Sequence, residues 1–173
     1  MSTRMSSQAY LWVAGIFMLL IPFQFYFAAA GSFSVLGFTP HIWLGLGLHG
    51  LSALLIVIAL VGRLPRRALE WSVLQFILIS IQVGLTRLQF PDLTVPIEPK
   101  FLTDLIHNIM QPIHDAMGSG AGIIAALHGV NGLAIVGVGI LTIRYARTLN
   151  KESMWFGSSA GASRHSEAAA ARK

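Results

Sequence analysis

From Met5 to Gly62 the chain carries no Asp, Glu, Lys or Arg, and a second uncharged stretch runs from Ala116 to Ile143. About 20 apolar residues in a helix cross the hydrocarbon core of a bilayer, so the first stretch has room for two crossings and the second for one. Inside lipid every backbone polar group must be satisfied within the protein, which leaves helices or closed barrels. Uninterrupted apolar runs without period-two alternation select helices. Composition agrees, with 54% hydrophobic and 11% charged residues against about 25% charged in soluble domains. The 173 residues fit one domain. The absence of cysteine removes disulfides, thiolate metal sites and thiol nucleophiles. The net charge of +5 does not point to nucleic acid, because the basic residues gather beside the ends of the apolar runs, where membrane orientation requires them.

The pattern predicts an all-α, integral membrane four-helix up-and-down bundle with spans at about residues 10–31, 41–62, 68–86 and 120–143. The first span, with Ala28-Ala29-Ala30 behind it, competes with a cleavable signal peptide, but its apolar length exceeds the ~7 to 15 residues of such peptides. Pro22 inside it is tolerable where neighbours satisfy the freed carbonyl, and Pro40 suits a helix start. One side collects Arg4, Arg63, Arg66, Arg67, Arg144, Arg147 and Lys151, while the other has Arg87 and Lys100 against Asp92, Glu98, Asp104 and Asp115. The positive-inside rule then places the chain in the cell membrane with both termini cytoplasmic. The outer linker is Pro-rich at Pro91, Pro96 and Pro99. From about residue 100 to 116 it turns amphipathic, with Leu102, Leu105, Ile106, Ile109, Met110 and Ile113 on one face, and it is expected to break near Pro112. His107 and His114 share the polar face, as solvated residues or an accessory metal site. The membrane domain covers residues 1–150; residues 151–173, rich in Ser, Ala and Gly, are expected to be a disordered cytoplasmic tail.

Leu48-His49-Gly50 recurs as Leu127-His128-Gly129, and Leu19 to Gln24 overlies Ile77 to Gln82. The repeat reads as a duplicated helical hairpin with Gln on its outgoing helix and His on its returning one. At ~1.5 Å per residue, His49, Gln82 and His128 lie roughly 21, 22 and 24 Å from the basic boundary, and Gln24 is comparable. In an up-and-down bundle the second and fourth helices are diagonal and parallel, so His49 and His128 are expected to face each other in a layer shared with Gln24 and Gln82.

An imidazole at that depth needs a partner. Hydrogen bonds to Gln24, Gln82, Ser52 or Asn131 would join helices as polar residues do in membranes. A single b-type haem is the sharper reading, since its iron accepts two axial imidazoles. Gly45, Gly50, Gly129 and Gly132 would give a flat macrocycle room, and Gln24 and Gln82 would accept the outer imidazole N–H. The propionates would point toward Arg87, His41 or the surface helix, although Arg87 can also snorkel to the interface without a role. Copper is weakened by the scarcity of soft ligands; quinone or a polar small molecule stays open. Catalysis has no support beyond the imidazoles, with no carboxylate well inside a span and no nucleophile beside a base.

The placement of His49 and His128 resembles the four-helix core of membrane b-type cytochromes, in which haem lies between the second and fourth helices. Those families carry a second histidine on each helix. The corresponding positions near Gly62 and Leu141 have none, so the resemblance implies one haem. Gln24-Phe25, Leu127-His128 and Asn131-Gly132 are similar to the pattern of a family of small four-helix bacterial membrane proteins of unknown function, which implies the fold and no activity. The expected function is electron transfer or redox sensing by one haem held through His49 and His128, with a redox partner. The alternative is a cofactor-free structural or assembly subunit of a larger membrane complex.

Overall fold

The computed structural model describes residues 3–31, 33, 37–89, 100–117 and 121–170. Among the described residues the regular structure is α-helical throughout: α1 (Thr3–Gly31), α2 (Thr39–Val61), α3 (Arg66–Gln89), α4 (Lys100–Met117) and α5 (Ala121–Ala170). Four of these are long and apolar enough to cross a membrane, over Arg4–Gly31, Thr39–Val61, Arg66–Leu88 and Gly122–Glu152. They overlap the four expected spans.

Each long helix buries a seam whose members alternate in steps of three and four. On α1 it runs Ser7, Tyr10, Ala14, Phe17, Ile21; on α2 Leu48, Ser52, Leu55, Ala59; on α3 Ala68, Ser72, Gln75, Ile79; on α5 Gly132, Ile135, Gly139, Thr142, Ala146, Leu149. A spacing of 3.5 keeps one narrow stripe facing neighbouring helices along the whole length. The helices close a ring in which α1 and α3 each pack against both α2 and α5. One layer of the interior joins Tyr10, Ala14, Leu55, Ala59, Ala68, Ala146 and Leu149, and the next joins Phe17, Ile21, Leu48, Ile79 and Ile135. Residue numbers rise between these layers on α1 and α3 and fall on α2 and α5, so chain direction alternates around the ring.

Polar side chains sit among the buried residues while large apolar ones face outward. Ser6, Ser7, Ser52, Ser72, Gln75 and Thr142 are buried, whereas Trp12 and Leu133 are 72% and 68% exposed. That inversion matches a solvent of hydrocarbon, in which apolar side chains lose nothing by facing outward and polar ones are satisfied within the protein. Tyr10 illustrates the satisfaction: its hydroxyl donates to the Ala68 carbonyl oxygen at 2.9 Å and lies 2.9 Å from Ser72 Oγ, tying α1 to α3.

The α2–α3 turn stops α2 with backbone alone. The Arg63 N–H donates to the Leu60 carbonyl at 3.1 Å and the Leu64 N–H to the Ala59 carbonyl at 2.9 Å, the paired bonds of a Schellman ending. Arg63 takes the left-handed residue of the motif, with φ of 49°. Gly62 is needed for a different reason, because a Cβ there would sit 2.5 Å from Ser6 Cβ and 2.6 Å from the Ile58 carbonyl oxygen.

Two local expectations are corrected. Proline removes one helical N–H, yet α4 continues through Pro112; the bond it forgoes is to the carbonyl of Asn108, an exposed residue. Helix α5 reaches Ala170 where a disordered tail was expected, and residues 151–170 hold no proline to stop a helix already nucleated by the apolar turns before them. The Pro-rich stretch 90–99 and the expected fourth-span start at Gly120 lie outside the described residues. Helix α4 packs on α3, where His114 Nδ1–H donates to the Leu88 carbonyl oxygen at 2.7 Å; this gives His114 a structural partner. Phe101, Leu105, Ile109 and Ile113 on α4 remain exposed.

Candidate cofactor site

Carrying the seams one layer further brings up Gln24 and Ala28 on α1, His41 and Gly45 on α2, Gln82 and Thr86 on α3, and His128 and Gly132 on α5. Bulky seam residues give way here to small and polar ones, and the helices enclose a cavity of about 300 Å³ lined by all eight. Ile21, Leu48, Ile79 and Ile135 form its apolar floor. Phe25, Ala125 and Gly129 also line it and are themselves exposed, so the cavity opens sideways between α1 and α5.

Of the expected site residues, Gln24, Gln82, Gly45, Gly129, Gly132 and His128 line this space, and His49 and Gly50 do not. The pairing of His49 with His128 is therefore corrected. His49 lies eight residues beyond His41, about 80° round the helix at 3.6 residues per turn, and that rotation turns it from the cavity toward α3. There its Nε2 lies 3.2 Å from Ser80 Oγ, whose hydrogen goes to the Phe76 carbonyl oxygen, and its ring packs on Phe76 at 4.6 Å between centroids. Gly50 is exposed. Ser52 donates to the backbone carbonyl of His49, not to its ring.

The imidazole that meets His128 is His41. Their ring centroids are 6.4 Å apart with planes inclined by 46°. His41 Nδ1–H donates to the Gln24 carbonyl oxygen at 3.1 Å. That donation puts the lone pair on Nε2, which accepts from Gln24 Nε2 at 3.4 Å. His128 Nδ1 and Gln24 Oε1 are buried and have no hydrogen-bond partner among the described residues.

Gln82 serves the backbone of α5 and not an imidazole ring, which corrects its expected role. Its Nε2 donates to the His128 carbonyl oxygen at 3.1 Å, and its Oε1 accepts from Asn131 Nδ2 at 2.6 Å. Asn131 Nδ2 also donates to the Leu78 carbonyl at 2.8 Å. This bridge sets the height and rotation of His128 against α3. Arg87, 3% exposed, lines the end of the cavity on the last turn of α3.

Chemically the site offers two imidazoles, an amide with a free acceptor and a guanidinium in an apolar chamber. Among the described residues no cluster of three or more His, Cys, Asp or Glu is placed to hold a metal ion. A bare ion draws on three or four protein ligands. Iron already held by a macrocycle asks the protein for one or two.

Residues 24–88 match the model of a family of unknown function, DUF6220. The match spans Gln24, α2 with His41 and His49, and α3 as far as Arg87 and Leu88, and ends before His128. It accords with the resemblance to small membrane proteins of unknown function. No curated protein and no solved structure matches the chain, so the resemblance to b-type cytochromes draws no support from them.

Proposed function

We propose that the protein is a multi-pass membrane up-and-down bundle, both termini cytoplasmic, whose cavity would hold one b-type haem through His41 and His128 for electron transfer or redox sensing. The observation that carries the reading is the spacing of the two rings. Two imidazoles that share one metal at metal–nitrogen distances of ~2.0 Å bring their rings close together, and the His41 and His128 centroids stand 6.4 Å apart with planes inclined by 46°. Such a haem, when bound, supplies a one-electron centre whose potential depends on its ligands and burial.

The chain's own residues prepare the pair. The Gln24 carbonyl selects the His41 tautomer whose Nε2 lone pair is available to a metal and orients its ring, as outer partners of metal-binding histidines do. The Gln24 side chain then has to release that lone pair. The Gln82–Asn131 bridge holds the α5 turn that presents His128. Gly129 has open space where a side chain would stand, whereas Gly45 and Gly132 lie under the Gln24 amide and the Phe25 ring, which a flat ligand would have to displace; the opening between α1 and α5 would allow its edge to reach past the helices. The cavity is at the lower end of the ~300 to 1,000 Å³ usual for ligand sites, so this opening is part of the fit.

Protein expressed in a haem-sufficient host and purified in detergent is expected to show a Soret band and a reduced-minus-oxidised alpha band, lost in His128→Ala. A colourless preparation that takes up no haem when it is supplied contradicts the reading. The second reading is a cofactor-free structural or assembly subunit. It is favoured by the Gln24–His41 and Gln82–Asn131 hydrogen bonds, which join helices without any ligand. It predicts a colourless protein that co-purifies with a larger membrane complex.

A further inference from the structure

Helices α1 and α5 meet through one kind of contact made twice. The Met18 sulfur packs against Gly139, and seven residues further along α1 the Phe25 ring lies over Gly132, seven residues earlier on α5. At Gly139 the fit is so close that a Cβ would overlap the sulfur; at Gly132 a Cβ would stand 3.6 Å from the ring, an ordinary contact. The first contact shuts the seam, whereas the second covers it with one side chain. Beyond it Gly129 has open space around it, and Phe25, Ala125 and Gly129 line the cavity while also being exposed. The exposed neighbours on this rim are Pro22, Ala29, Ala126 and Leu133, and no charged residue occurs on either helix at this level. Both edges belong to segments apolar enough to cross a membrane, so in a bilayer the opening meets hydrocarbon and not water. Inside, Gln24 Oε1 and His128 Nδ1 are buried without a partner, a cost that an acyl chain filling the space would not relieve.

We infer that the cavity takes its ligand from the hydrocarbon layer of the membrane, sideways between α1 and α5, and that Phe25 is the door. The identity of that ligand rests on the haem reading above: the source is haem dissolved in the bilayer, a flat and largely apolar molecule, and not haem in water. An exposed side chain changes rotamer within nanoseconds, so the Phe25 ring swings off Gly132 while the helices keep their places. Entry at the level of Met18 and Gly139 would instead require the helices to part.

The chain has no cysteine, so the double variant Phe25→Cys, Gly132→Cys places its two thiols across the opening and nowhere else. The full-length variant in phosphatidylcholine vesicles is bridged with a short bis-methanethiosulfonate reagent, which a reductant removes, and haem is partitioned into the vesicle lipid. Bridging is expected to slow the growth of the six-coordinate spectrum about tenfold, a barrier higher by ~1.4 kcal/mol, and reductant to restore the rate. Bridging after loading should slow the loss of haem to a soluble haem scavenger by a similar factor, and Phe25→Ala alone should load faster than the unaltered protein. Equal uptake with and without the bridge overturns the inference, as does expulsion of preloaded haem on bridging. The haem reading fails separately: no six-coordinate spectrum forms with or without the bridge, and uptake is then followed with metal-free protoporphyrin dimethyl ester by its induced circular dichroism. Ester uptake blocked by the bridge upholds entry from the lipid; no ester uptake, or uptake indifferent to the bridge, overturns it as well.

Discussion

The imidazoles of His41 and His128 lie 6.4 Å apart between centroids, tilted by 46°, on α2 and α5, which stand on opposite sides of α1 and of α3 in the ring. Every long helix thus contributes to one chamber, two with imidazoles and two with amides. The polar residues of this layer divide into two sets: Gln24 attends to the His41 ring, whereas Gln82 and Asn131 attend to the backbone that carries His128.

The second set makes the first prediction. Asn131→Leu and Gln82→Leu each remove hydrogen bonds between α3 and α5 and are expected to destabilise the protein by about 1 kcal/mol, the scale of interhelical bonds in membranes. Because the two side chains bond to each other, the double variant should lose clearly less than the sum of the single losses. Denaturant titration of the detergent-solubilised protein checks this, and strictly additive losses would show that the bridge carries no coupling.

Two glycines are predicted to respond in opposite ways. In Gly62→Ala the new Cβ meets Ser6 Cβ and the backbone oxygen of Ile58. Neither moves without shifting a helix, so a loss of about 2 kcal/mol is expected. In Gly139→Ala the new Cβ overlaps Met18 Sδ, the end of a flexible side chain, and a mid-helix Gly to Ala change itself contributes up to about 1 kcal/mol. Gly139→Ala should therefore be near neutral. Melting temperatures of the two variants measured side by side check the order.

The helical architecture was legible because hydrophobic length is a one-dimensional property. The expected spans agree with α1, α2, α3 and α5 to within a few residues at their cavity ends, and the helix expected at about residues 100–116 is α4 at Lys100–Met117. The common level of Gln24, Gln82 and His128 was legible too, since a constant rise per residue put them in one layer and they line one cavity. The rotation of α2 was the missing coordinate. The repeated Leu-His-Gly tripeptide drew attention to His49, but its two copies stand in different registers: His128 continues the buried series Gly132, Ile135, Gly139, whereas His49 is one place beyond the buried Leu48. A signal was available. Counting back from Ala59 through Leu55, Ser52 and Leu48 in steps of four and three arrives at Gly45 and then His41. The helical tail of α5 was not legible from composition, because Ser, Gly and Ala at that density are compatible with either outcome.

Orientation makes a further prediction, and the cysteine-free sequence suits its test. Asp115 on α4 and Lys151 at the far end of the α5 span are both exposed. With both termini cytoplasmic, a membrane-impermeant maleimide applied from outside should label Asp115→Cys, and should label Lys151→Cys only after the membrane is permeabilised. The reverse pattern would invert the topology and place the cavity nearer the cytoplasmic face.

The central claim, that His41 and not His49 partners His128 at a metal, is tested most directly by absorption spectra of haem-loaded protein in three single variants. His49→Ala should keep the six-coordinate spectrum of the unaltered protein, and His41→Ala and His128→Ala should each lose it. A six-coordinate spectrum that survives in His41→Ala and vanishes in His49→Ala would contradict the account.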